Sequence, residues 1–144
     1  MEEPKTKEEL EKAIEKDRGL VGRKLEKETE LILTNNVELS INDLSVSPET
    51  IAALRDEVEG AKGFVREILK SGDYREGEIA CKKAILELQE LQNLLKEQGM
   101  AYVHCKAVEG WLISIALPLE AMATFRIKLN ALTVNGGDSG KERF

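Results

Sequence analysis

The sequence is poor in the residue types on which sheets, metal sites and disulfide frameworks depend. Aromatic residues make up 4% of its 144 positions, and there are 3 prolines, 2 cysteines and 1 histidine. The shortage of aromatic residues disfavours a sheet, in which aromatic and β-branched residues are enriched. Cys81 and Cys105 lie far apart and match no metal or redox spacing. We therefore expect both to be buried free thiols in a reducing compartment.

The sequence also lacks the marks of a leader, a membrane span or a nucleic-acid-binding patch. The N-terminus, residues 1–5, has no apolar stretch of the kind found in secretory signals. The longest uncharged apolar stretch, residues 110–119, is much shorter than the roughly 20 residues that cross a bilayer. The net charge is −6, and no run of Lys and Arg is free of interleaved Glu, which disfavours binding to a phosphate backbone. We expect a cytoplasmic protein with no membrane span and no nucleic-acid partner.

Charged residues make up 33% of the chain and hydrophobic residues 42%, a balance typical of long helices with solvated charged faces. The first helix is predicted to begin at Thr6, because Thr6 and Glu9 form a capping box in which each side chain bonds the other residue's backbone amide. The apolar positions that follow alternate spacings of four and seven, which keeps them on one narrow stripe. That stripe consists of Leu10, Ile14, Val21, Leu25 and Ile32.

Two further helices follow, each with clear boundary signals. Ser47-Pro48-Glu49 supplies a capping hydroxyl, a proline at the first helical position and an acid for the helix dipole. This second helix is predicted to end at Ser71-Gly72. Asp73 is expected to cap the third helix, which ends at Gly99. Because only two or three residues separate the two helices, they are predicted to be antiparallel neighbours.

The last helix, from Met100 to about Val134, carries far fewer charges than the rest of the chain. Around residues 112–119 it is apolar on nearly every face, which marks it as the central helix. Pro118 removes the hydrogen bond to the Ser114 carbonyl, so we expect a kink there. A regular apolar stripe runs along this helix through Val108, Trp111, Ile115, Pro118, Met122, Phe125, Leu129 and Leu132.

The segment between the first two helices departs from helical spacing. Residues 35–36, both Asn, are expected to end the first helix, and Val37, Leu39 and Ile41 then alternate with polar residues as in a strand. A lone strand leaves its own backbone groups unpaired. The segment therefore either pairs with its copy in a second subunit or, as we expect, forms an extended loop over residues 35–47.

Together these elements predict an all-α antiparallel bundle of about four helices in one domain, residues 1–134, followed by a flexible tail at residues 135–144. The kinked, apolar C-terminal helix lies at its centre, and the charged first helix lies on its flank. A helix that is apolar on most sides has more surface than these neighbours cover, so we expect self-association through it, as a homodimer or a larger assembly. The predicted interface residues are Trp111, Ile115, Met122, Phe125, Leu129 and Leu132.

Residues able to carry chemistry are few. His104 lacks the second histidine of a helical metal site, and on a helix it points about 100° away from Cys105. Glu109 and Glu120 are eleven residues apart and so share one helix face. Two such acids suit a site, but more often they edge a helix or pair with a basic neighbour. We therefore expect no catalytic residue, no cofactor and no metal ion.

Part of the hairpin formed by the second and third predicted helices resembles a tetratricopeptide repeat. The resemblance rests on residues 70–74 (Lys-Ser-Gly-Asp-Tyr) and 82–88 (Lys-Lys-Ala-Ile-Leu-Glu-Leu), where Gly72 and Ala84 stand at the family's spacing. The third helix is about twice the length usual in that family, Gly77 replaces the customary alanine, and no second copy occurs. The resemblance implies peptide binding in a concave groove of the hairpin at residues 51–98.

Three functions are therefore considered. The leading hypothesis is a non-enzymatic, self-associating helical protein that acts as a structural subunit, adaptor or scaffold through apolar helix faces. The alternative is a module that binds a peptide, another protein or an apolar ligand, with Trp111, Met122 and Phe125 as contacts in a groove beside the kinked helix. The third is an enzyme with a carboxylate-bound divalent metal.

Overall fold

The computed structural model describes residues 3–135, apart from the side chains of residues 36, 39, 41 and 133–135. It confirms the all-α class, because within the described residues every regular element is helical. The chain runs through α1 (Lys7–Arg23), a π-helical segment (Lys24–Glu28), α2 (Thr29–Ile32), a second π-helical segment (Leu33–Glu38), a 3₁₀ turn (Leu39–Asn42), α3 (Pro48–Ser71), α4 (Tyr74–Glu97) and α5 (Val103–Asn135).

The helix starts predicted at Thr6 and Ser47 and the helix end predicted at Gly72 are confirmed. At the start of α1 the Glu9 amide donates to Thr6 Oγ1 at 3.1 Å, and the Thr6 amide donates to Glu9 Oε1 at 3.1 Å. At the start of α3 the Thr50 amide donates to Ser47 Oγ at 3.2 Å. Gly72 ends α3 with a φ of 84°, a left-handed conformation in which glycine carries no side-chain penalty. Asp73 occupies the cap position of α4, but its side chain makes no capping hydrogen bond.

The extended loop predicted for residues 35–47 is wrong over most of its length. The two asparagines at positions 35–36 lie inside the second π-helical segment, and helical turns continue to Asn42. Val37 and Ser40 are both fully buried, and their spacing of three is helical. Because the helical turns continue, the backbone amides and carbonyls that an extended segment would leave unpaired form hydrogen bonds within the chain. Only residues 43–47 are irregular, and there the Ser45 amide and hydroxyl both donate to Asp43 Oδ1.

The central position predicted for α5 is confirmed. Its inward residues Val108, Ile115 and Met122 have no solvent exposure, and α5 packs most extensively against α4 and α1. The placement of α1 on the flank is corrected, because α1 lies along α5 while α3 packs mainly on α4 and on the second π-helical segment. Lys128 near the end of α5 lies 3.8 Å from Glu3, so α1 and α5 run antiparallel.

Helix α5 continues through Pro118 as one element, and the kink expected there stays a prediction. Among the described residues, no helix is both long enough and apolar enough to cross a membrane. The flexible tail was predicted to begin at residue 135, but Asn135 still belongs to α5. The other residues of the predicted tail, 136–144, lie outside the described part of the chain.

Candidate interaction surface

One face of α5 is turned away from the core and carries large apolar side chains. We call it the outward face of α5 and define it by Val103, Gly110, Ile113, Leu117, Thr124, Ile127 and Ala131. Val103, Leu117 and Ile127 are 62%, 61% and 58% exposed, and Ile113 is 40% exposed. These values are high for large apolar residues on the central helix of a bundle.

The outward face follows a seven-residue repeat. Its members are spaced by threes, fours and sevens, and the fully buried positions 108, 115 and 122 form the opposite side of the helix. Two further residues complete the repeat, Lys106 and Glu120, and both are exposed. Apolar positions that recur every 3.5 residues are the pattern by which one helix pairs with another.

Helix α4 borders this face on one side, and polar contacts attach it to α5. Glu109 accepts hydrogen bonds from Gln89 Nε2 at 2.7 Å and from Gln92 Nε2 at 2.9 Å. Glu120 accepts one from Lys82 Nζ at 3.0 Å, and Lys82 also donates to Glu78 at 2.7 Å. Lys82 holds the pKa of the Glu120 carboxyl below its ordinary value. The two acids considered for a chemical site therefore join α5 to α4.

The other border of the outward face is formed by the first helical stretch of the chain. A depression of about 370 Å³ lies there between Leu31, Gly110, Trp111 and Ser114, with the Lys24–Glu28 ion pair at its rim. Leu31 is 59% exposed, and a Cβ atom added at Gly110 would meet no neighbouring atom within 4 Å. The apolar surface thus extends from α5 onto α2.

Most of the interface residues predicted from the sequence lie elsewhere on α5. Trp111, Ile115, Met122 and Leu129 are buried within the chain. Phe125 is half-buried, beside α1, and Leu132 is 40% exposed. The regular stripe therefore forms the contact of α5 with its own chain. The sequence signal for the outward face was the large number of apolar residues between positions 110 and 119. The stripe includes only some of them, so the others had to lie on another face of the helix.

The cysteines and the histidine are not arranged for nucleophilic chemistry. Burial raises the pKa of both the Cys81 and the Cys105 thiol to about 11, so neither forms the reactive thiolate near neutral pH. His104 Nε2 lies 3.7 Å from Asp43 Oδ2, a contact that ties the irregular residues 43–47 to the start of α5. Within residues 3–135, no group of three or more His, Cys, Asp or Glu side chains has the geometry to hold a metal ion.

A second concave feature lies between α3 and α4. It encloses about 270 Å³ between small and apolar residues that include Gly60, Ala61, Phe64 and Ala84. Glu57 is one of its lining residues, and its carboxyl interacts with that of Glu87 on α4; burial and this second carboxyl raise the pKa of Glu57 to about 7.

Comparisons with known proteins give no relative on which to base a function. No protein-family model matches the chain, and no match is found among the curated proteins or the solved structures.

Proposed function

We propose that this protein is a non-enzymatic helical subunit that self-associates through the outward face of α5 and acts as a structural subunit, adaptor or scaffold. The observation that carries the proposal is the exposure of Ile113, Leu117 and Ile127 on the central helix. Large apolar side chains grouped on one helix face mark an interaction surface more often than isolated ones do.

The free energy gained by burying apolar surface favours a partner helix on this face. Fully burying a Leu or Ile side chain contributes about 1.5–3 kcal/mol, and Leu117 still has 61% of its surface to bury. In a symmetric pair each outward residue is buried twice, once on each chain. Gly110 and Thr124 are small, which lets a second helix approach closely.

The test uses two leucines of similar exposure on different sides of the molecule. Leu117 is 61% exposed on the outward face, and Leu94 is 52% exposed on α4, on the side turned away from Lys82 and Gln89, which contact α5. We expect Leu117→Lys to raise the dissociation constant of the dimer by at least about 100-fold, since two lost burials near 1.4 kcal/mol each give two factors of ten. Leu94→Lys should leave the constant unchanged. Sedimentation equilibrium measures both; equal effects of the two substitutions would contradict the proposal.

A second candidate function is a binding module, and the groove between α3 and α4 is the observation that favours it. The groove lies in the hairpin that resembles a tetratricopeptide repeat, and Phe64 at its side is 42% exposed. Titration with Nile red, a neutral apolar dye, tests whether the groove takes up an apolar group. Binding that is lost in Gly60→Leu, which fills the groove, would support this candidate. Binding unchanged in that variant would count against it.

For its place in the cell we propose the cytoplasm. Two buried free thiols suit a reducing compartment. Mass spectrometry of intact protein from cells, alkylated at lysis, tests this by showing whether both thiols are reduced.

A further inference from the structure

We infer that the partner of the outward face is a second copy of this chain, with the two α5 helices antiparallel about a two-fold axis level with Ile115. This inference rests on the proposed self-association and adds its symmetry and register. It is carried by the order of the exposed residues along α5.

The four large apolar residues of the outward face are placed symmetrically about position 115. Ile113 and Leu117 lie two residues on either side of it, and Val103 and Ile127 lie twelve residues on either side. In an antiparallel pair centred at this level, Leu117 of one chain meets Ile113 of the other. Val103 likewise meets Ile127. Each of these four side chains thus contacts an apolar side chain of the second copy, and the contacts are reciprocal, as in an isologous two-fold interface.

The polar residues of the same face also fit this register. Glu120 lies five residues after the centre and Gly110 five before it, so each Glu120 would lie against a position without a side chain. Its carboxylate keeps its own Lys82 as partner. Lys106 would lie against Thr124 of the second copy, nine residues from the centre on the other side.

A parallel pair in the same register would bring like charges together. Every residue would then face its own copy, so Glu120 would oppose Glu120 and Lys106 would oppose Lys106. Like charges at directly opposed positions are unfavourable. The seven-residue repeat also implies that the helices cross at about +20°, the angle that keeps such a stripe in contact along both helices.

Disulfide cross-linking of two single variants distinguishes the two orientations. Val103→Cys and Ile127→Cys are co-expressed, with a mass tag on one chain, and the purified protein is oxidised mildly and separated without reductant. In the antiparallel pair the two new thiols are neighbours. Two copies of the same variant would hold theirs about 36 Å apart along the helix, at 1.5 Å per residue, far beyond the roughly 7 Å limit between Cα atoms of a disulfide.

We expect cross-links between the two variants and none when either variant is oxidised alone. Leu94→Cys, which is 52% exposed on the side of α4 turned away from Lys82 and Gln89, serves as the control and should not cross-link with itself or with either of the two variants. Cross-links formed by each variant with itself would overturn the antiparallel register and leave self-association standing. A dimer by light scattering with no cross-link in any combination would also overturn it. A monomer by light scattering would overturn both this inference and the proposed function.

Discussion

Gly77 of α4 lies so close to Ile68 of α3 that a side chain at position 77 would collide with it. A Cβ atom built on Gly77 falls 2.8 Å from Ile68 Cγ2 and 3.3 Å from Leu119 Cδ1 of α5. The first turns of α4 therefore approach α3 and α5 at a distance that only glycine permits. The alanine customary at this position in tetratricopeptide repeats does not fit the packing seen here.

Gly77→Ala is expected to destabilise the fold by about 1–3 kcal/mol, because overpacking outweighs the advantage of alanine in a helix. Gly63→Ala is the control: a Cβ at Gly63 meets no atom within 4 Å, so that change should stabilise the fold by about 0.4–1 kcal/mol. Urea unfolding followed by circular dichroism measures both. Equal stabilisation by the two substitutions would show that α4 does not pack this closely.

Glu109→Ala is expected to cost about 1–3 kcal/mol of unfolding free energy, since it leaves the buried amide of Gln92 without its carboxylate acceptor. Glu90→Ala, on the exposed side of α4, should change stability by less than about 0.5 kcal/mol. The comparison is made by urea unfolding. A loss of similar size in both variants would contradict the role assigned to Glu109 in joining α5 to α4.

The carboxyl pair between α3 and α4 predicts a dependence of stability on pH. The pKa of Glu57 is raised to about 7 in the folded chain from an ordinary value of 4.5, so the folded state binds the proton more tightly than the unfolded state. The stability that this group contributes is therefore present below pH 4.5 and is lost as the pH rises to about 7.

Glu57→Gln keeps a neutral, hydrogen-bonding side chain at every pH. The variant should gain stability over the native chain as the pH rises from 5 to 8, while Glu59→Gln, at an exposed position of α3, should show no such gain. Urea midpoints across this range provide the measurement. A difference between Glu57→Gln and the native chain that does not change with pH would contradict the raised pKa of Glu57.

Cys81 and Cys105 are expected to react with Ellman's reagent only as the chain unfolds. Both side chains are at least 98% buried, and burial raises the pKa of each thiol to about 11. At pH 8 the native chain should release little thionitrobenzoate, and two equivalents should appear in denaturant. Rapid release of two equivalents from the native chain would contradict the burial described for α4 and α5.

Local signals in the sequence were enough to predict the helices with clear caps. Thr6 with Glu9, Ser47 with Pro48, and Gly72 each act within one turn of the chain, so their effect does not depend on the rest of the fold. The alternation at Val37, Leu39 and Ile41 misled because a period of two over so few residues is also compatible with π- and 3₁₀-helical turns. Continuation of the helix satisfied the backbone, which the side-chain pattern does not report.

The candidate surface lies on the helix that the sequence analysis predicted to self-associate, but on a different face of it. The charge-poor stretch around Leu117 pointed to this helix, because a helix that is apolar on most sides is expected at the centre of a bundle. Which of its faces stays open depends on where α1 and α4 pack. The stripe through Trp111 and Met122 was the most regular one, and it is the face that α5 turns toward its own chain.

We propose that a second copy of the chain covers the outward face of α5, and the mass of the protein in solution decides between this dimer and a monomer. Size-exclusion chromatography coupled to light scattering, over a hundredfold range of concentration, measures that mass. We expect a species of twice the chain mass of 16.1 kDa, which dissociates only at the lowest concentrations. A mass of one chain at every concentration would contradict it and would leave the groove between α3 and α4 as the better candidate for function.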